Sequence, residues 1–118
     1  MSDASDASDM SGSLSDPVPA EAVGPITLCA LMWAHDGQVD ALHAYEAAVI
    51  PLISEHGGQL LQRLAADGLG EQPHEINIFR FPDRAALEAY MTDPKREALS
   101  AQRDASIRRT EVIPVRPI

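Results

Sequence analysis

From Ile26 to Ala34 the chain reads ITLCALMWA, apolar on both alternating faces except at Thr27, and Gly24-Pro25 and His35-Asp36-Gly37 bound it. That pattern predicts a central strand buried on both sides. The period then changes. Leu42, Tyr45, Val49, Leu52, Ile53 and His56 recur at three- and four-residue spacing, which predicts a helix capped by Asp36 and stopped by Gly57-Gly58 in the left-handed conformation. Pro51 lies inside this helix and predicts a bend or a break.

Gln59 to Ala65 (QLLQRLA) reads as a second strand, and the glycines and proline between Asp67 and Pro73 make a loop rather than a tight hairpin. Glu75 to Phe81 (EINIFRF) is a third strand, rich in β-branched and aromatic residues. Asp83 caps a helix carrying Leu87, Tyr90 and Met91, and Asp93-Pro94 starts a third helix that runs to about Arg103 or Ile107. Glu111 to Val115 closes the pattern as a strand, and Pro114 assigns it to a sheet edge or a bulge. The order βαββαβ fits an α+β, ferredoxin-like sandwich with an antiparallel four-stranded sheet and helices on one face. Because the first strand is apolar on both faces, the uncovered side of the sheet predicts a homodimer with two sheets face to face.

Charge changes the picture at the N-terminus. The 118 residues carry 18 acids against 9 bases, a net −9, yet residues 1 to 25 hold five of the acids and no Lys or Arg. The Ser-Asp-Ala repeat there, followed by Gly, Ser and Pro, predicts a disordered acidic tail over residues 1–24 and one folded domain over 25–118. A secretory signal would open with positive charge and continue into an apolar stretch; this segment does neither, so a cytoplasmic location is expected. A single cysteine, no long apolar run and an acidic balance argue against a disulfide scaffold, a membrane protein and a nucleic-acid binder that works by neutralising phosphates.

Tyr45, His56-Gly57-Gly58 leading to Arg63, Phe81-Pro82-Asp83 with Pro82 twelve residues before Pro94, and Arg103-Asp104 occur in an order that resembles the DUF1330-type proteins. These belong to the dimeric α/β-barrel superfamily, together with the antibiotic-biosynthesis-monooxygenase-like proteins. The resemblance covers roughly residues 26 to 115. It implies a ferredoxin-like subunit, a dimer whose sheets form a barrel, and a cleft between sheet and helices. Arg80 stands where that family usually has an acid, and Met91 and Arg96 where tyrosines are common.

The four histidines show no HxH, HxxxH or HExxH spacing, and Gly68-Leu69-Gly70 is no phosphate loop. No metal, nucleotide, flavin or nicotinamide cofactor is expected. Asp36, Asp40 and His43 share one side of the first helix and form the best metal candidate, although acids in a first turn also complement the helix dipole. Cys29 is expected in the core, where burial suppresses thiol reactivity.

Trp33, Tyr45, Arg63, Asn77, Arg80 and Arg103 remain as candidate ligand-binding residues, polar groups on mainly apolar elements. An arginine could hold a carboxylate or enolate, His35 could exchange a proton near neutral pH, and Tyr45 could orient a carbonyl, so His35, Tyr45 and Arg103 are the catalytic candidates. Asp104 belongs to the same polar set. The functional expectation is a cleft for a small anionic or aromatic ligand, in a cofactor-independent monooxygenase or isomerase. The alternative is a non-catalytic dimerisation or accessory module, in which the same residues serve packing and the subunit interface.

Overall fold

The computed structural model describes residues 23–118; the acidic tail expected over 1–24 falls almost wholly outside the described residues. Strand β1 (Ile26–Ala34) is central, between β3 (Glu75–Phe81) and β4 (Ile107–Val115), and β2 (Gln59–Ala65) lies beyond β3. Every pairing is antiparallel, giving the order β2-β3-β1-β4 of a ferredoxin-like fold. Pro114 sits on the edge strand β4, where a missing N–H need not break a ladder.

Register decides what each sheet face presents. Ile26 pairs with Phe81, Leu28 with Phe79, Ala30 with Asn77 and Met32 with Glu75, and all of these side chains are buried on one face. The helices α1 (Val39–Glu55) and α2 (Arg84–Met91) cover that face with Leu42, Tyr45, Val49, Leu52, Ile53, Leu87, Tyr90 and Met91, in one core cluster. Thr27, Cys29 and Leu31 pair with Arg80, Ile78 and Ile76 on the opposite face, which no helix among the described residues covers. Cys29 is therefore half-buried on the open side rather than in the core, and burial still pushes its thiol pKa up.

Several local expectations are corrected. Asp36 does not cap α1: it stands in an exposed turn with Gly37 at φ +74°, and Gln38 occupies the N-cap without a side-chain bond. Pro51 does not break the helix. It lies on the exposed side of α1, while Leu52 and Ile53 bury themselves in the core, so packing carries the helix through one forfeited bond. The last helical segment is two short helices, α3 (Pro94–Glu97) and α4 (Ser100–Ser106), interrupted at Ala98-Leu99. Strand β4 starts at Ile107, not Glu111. Its polar Arg108, Arg109 and Thr110 pass for a helix end in the sequence, but an edge strand keeps polar side chains in water. Asp83 and Asp93 do cap α2 and α3, accepting from the backbone N–H groups of Ala86 and Lys95.

The turn from α1 into β2 is tight. A Cβ placed on Gly58 would lie 2.7 Å from Ile53 Cγ2 and 2.8 Å from the Phe81 ring, which is fully buried. Gly58→Ala is expected to destabilise the fold by about 1–3 kcal/mol through overpacking, read as a lower urea midpoint at unchanged m-value. An unchanged midpoint would mean that the Phe81 ring gives way freely. Among the described residues, no helix is long and apolar enough to cross a membrane.

Candidate functional site

The alternation of β3 turns Glu75 and Asn77 inward, on the same side as Phe79 and Phe81. A carboxyl group so placed must be paired. Glu75, 1 % exposed, accepts from Arg63 Nε at 2.8 Å and from Asn77 Nδ2 at 2.9 Å, and its Oε1 hydrogen-bonds His43 Nδ1 at 2.6 Å. Arg63 also donates from Nη2 to the His43 carbonyl at 2.8 Å, tying β2 to α1. The hydrogen bond to Glu75 holds the Arg63 guanidinium above its ordinary pKa. His43 is thereby committed to Glu75, and Asp36 and Asp40 do not join it: among the described residues no three His, Cys, Asp or Glu side chains form a metal-sized group.

Asn77 Nδ2 also donates to Glu46 Oε1 at 2.8 Å, so one amide links two buried acids. Glu46 lies within the apolar stripe of α1 and is itself buried. Its carboxyl is pushed up to about 7, first by burial and then by the nearby charge of Glu75, against the opposing hydrogen bond from Asn77 and the charges of Arg96 and Arg63. It forms part of the wall of a cavity of about 30 Å³, together with Tyr45, Tyr90, Arg96, Arg103 and Thr110.

Arg96 reaches this cavity from α3. Asp93 anchors that helix: its side chain accepts from the Lys95 N–H at 2.8 Å and hydrogen-bonds His56 Nε2 at 2.7 Å, and the His56 bond first, then the Lys95 bond, lowers its pKa. The Arg96 guanidinium stands 4.8 Å from the Tyr90 ring centre, a cation–π contact, and donates weakly to the Met91 carbonyl at 3.4 Å. Burial pushes the Tyr90 phenol up to about 12 and raises Tyr45 as well, so both tyrosines stay neutral at physiological pH. Glu46 is the cavity-lining group that changes charge near neutrality.

Of the residues singled out in the sequence, the structure brings Tyr45 and Arg103 to the cavity and Arg63 and Asn77 to the acid network beside it. It does not bring Trp33, His35 or Arg80 there. Trp33 is a buried anchor, donating from Nε1 to the Glu71 carbonyl at 2.9 Å beneath the Arg109 guanidinium, 4.4 Å from its ring. The exposed His35 bonds the Asp104 carbonyl through Nε2 at 3.0 Å. Arg80 lies on the open sheet face, donating to Gln59. Asp104 accepts from Arg103 Nε at 3.3 Å and is itself largely exposed.

Glu46, Glu75 and Arg96 are not among the candidate site residues that the sequence offers. The signal for Glu46 was present: it follows Leu42 by four residues and precedes Val49 by three, which puts a carboxyl in the apolar stripe. Glu75 and Arg96 gave no comparable sign.

The fold and site together define a ferredoxin-like α+β domain with a buried acid and two arginines in the cleft between sheet and helices. The chain belongs to the DUF1330 family, a domain of unknown function, whose profile matches residues 35–115. Among solved structures it is similar to a protein of unknown function from Rhodopseudomonas palustris (18 % identity, TM-score 0.71, covering 91 % of this chain and 92 % of that one). It is also similar to a Bacteroides thetaiotaomicron protein provisionally assigned as an antibiotic biosynthesis monooxygenase (14 %, 0.63, 80 % and 90 %). A dabb family protein with a ferredoxin-like fold from Mesorhizobium loti matches similarly (17 %, 0.62, 80 % and 98 %). At these identities the likeness establishes the fold. No curated protein matches the sequence.

Proposed function

We propose that the protein is a small-molecule cleft protein in which Glu46 moves a proton to or from a bound substrate, the chemistry of a cofactor-independent monooxygenase or isomerase. One observation carries this reading: a buried carboxyl, pushed up to about 7, forms part of a cavity wall beside two arginines. A general base works best when its pKa lies near the working pH, and a neighbouring guanidinium stabilises the enolate that forms. Tyr45 and Arg103 keep the positioning roles expected of them, and Glu46 replaces His35 as the proton-exchanging group.

The test is deuterium exchange into enolisable keto acids, followed by NMR. Wild type is expected to catalyse exchange, and Glu46→Gln to lower the rate by about 10²–10⁴-fold, the usual contribution of a positioned acid or base. Equal rates in the two proteins, or none in either across the panel, would reject the proposal.

The open sheet face supports a homodimer in this reading. Leu31, Cys29, Ile76 and Ile78 meet there with Leu64, Ile113 and Val115, and the last three are exposed. A contiguous apolar face of this kind is better covered by a second copy than left in water. Native mass spectrometry is expected to show twice the chain mass; a stable monomer would reject the dimer.

A non-catalytic dimerisation module is the second reading. The small cavity favours it: Tyr45, Tyr90 and Arg96 are buried in its wall, and only about 30 Å³ is left between them.

A further inference from the structure

The cavity has a specific polarity. Arg96 is only 8 % exposed, its Nε lacks a hydrogen-bond partner, and it lines the same space as Arg103 and Glu46. A buried guanidinium N–H left unpaired is costly, and the planar fork of arginine matches the paired oxygens of a carboxylate or a phosphate. Size narrows the choice further. A cavity of about 30 Å³ holds about two water-sized groups, whereas an apolar cavity that takes up benzene measures about 150 Å³. The space fits the planar head of a carboxylic acid, with its remainder towards the opening, better than a ring or a tetrahedral phosphate.

We propose that the cavity takes up a small carboxylate together with a proton, the carboxylate received by the guanidinium groups of Arg96 and Arg103 and the proton by Glu46. This rests on the reading of the cavity as a ligand cleft and narrows its ligand from anionic or aromatic to a carboxylate head. The charges acting around Glu46 explain the coupling. Glu75 repels a second negative charge, and Arg63 and Arg96 attract it; Arg103 shares the cavity wall, Tyr45 and Tyr90 are neutral, and His43 stands behind Glu75. With Glu46 ionised, the arginines are already partly neutralised and an incoming carboxylate meets a second carboxylate. With Glu46 protonated that neutralisation is removed: Arg96 offers its unpartnered Nε, Arg103 is held by the largely exposed Asp104 through Nε alone, and the carboxyl can donate to the anion.

Acetate and glycolate are suitable probes, titrated into the full-length protein by calorimetry or by NMR. Affinity for both is expected to fall about 100-fold between about pH 6 and pH 9, where the probes stay ionised, with protons taken up on binding at neutral pH. Glu46→Gln is expected to bind with an affinity that no longer varies with pH. Arg103→Ala, on an accessible helix, is expected to weaken binding at least tenfold while remaining folded, and Arg96→Gln to do so more strongly if it folds.

No acetate or glycolate binding by wild type, or binding independent of pH, would overturn the proposal. So would a pH dependence that survives in Glu46→Gln, which would belong to a different group, or a folded Arg103→Ala with unchanged affinity. Binding and turnover separate the two proposals. Carboxylate binding without isotope exchange would leave this site standing and reject the catalytic reading, and exchange without carboxylate binding would do the reverse.

Discussion

Glu46→Gln is expected to make the protein more stable above neutral pH by roughly 3 kcal/mol, the equivalent of raising a carboxyl from its ordinary value of 4.5 to about 7. The sign follows from proton binding. Between these two values the folded chain keeps the Glu46 proton and the unfolded chain has lost it, so folding takes up a proton and stability falls as pH rises through the window. Below it both states are protonated, above it both are ionised, and this contribution is flat on either side. Glutamine keeps the oxygen that accepts from Asn77 Nδ2 but has no charge to bury or to repel Glu75. Urea unfolding of both proteins from about pH 4.5 to pH 8 is expected to give curves that coincide at the acid end and diverge to about 3 kcal/mol at the alkaline end. Parallel curves would mean that Glu46 ionises normally and would remove the physical basis for its role as a base. The variant predicted to lose proton transfer is thus also predicted to be the more stable protein, as expected where a strained group is kept for function.

Glu75→Ala is expected to act in the opposite direction and to cost about 3 kcal/mol, which for a domain of this size lowers Tm by about 12–24 °C. Glu75 is the shared acceptor for Arg63, Asn77 and His43, and its removal leaves three donors without their partner in and beside the core. The estimate lies at the lower end of the range for broken buried pairs because the Arg63 side chain is 35 % exposed and water can reach it. A second effect accompanies the first. Without the Glu75 charge, the Glu46 carboxyl loses one of the two causes that raise it, and its midpoint moves down towards the ordinary range. Calorimetry gives the stability change, and the pH dependence of stability in a Glu75→Gln background, which keeps the shape of the side chain, isolates the electrostatic one. A loss below about 1 kcal/mol for Glu75→Ala would mean that the network is a surface-like ion pair of little weight.

The elements were legible because their signals are local. ITLCALMWA and EINIFRF give strands with the observed ends, Asp83 and Asp93 are caps in both sequence and structure, and Gly57 adopts the positive φ that stops α1. Sequence pattern and structure part where a long-range contact outweighs local preference. Pro51 stays helical because its neighbours are buried, and Arg108 to Thr110 extend a strand because β1 offers them a partner. For the site, residue types were readable but direction was not. Arg80 and Asn77 are three residues apart in a strand that is mixed on both sides, and they point to opposite faces; Trp33 and Tyr45 are both large and amphipathic, yet only Tyr45 meets the cavity.

The sequence by itself determined the βαββαβ order, the central place of β1 and the family, since periodicity, caps and motif order are written in neighbouring residues. The tertiary structure alone decided that Glu75 and Asn77 point inward, that Glu46 and Arg96 meet at one cavity, and that Arg80 lies outside. Burial and electrostatics depend on which residues distant in the chain become neighbours, and the carboxyl of Glu46 acquires its unusual proton affinity only when the fold buries it and β3 lays Glu75 beside it, against the opposing pull of Asn77, Arg96 and Arg63.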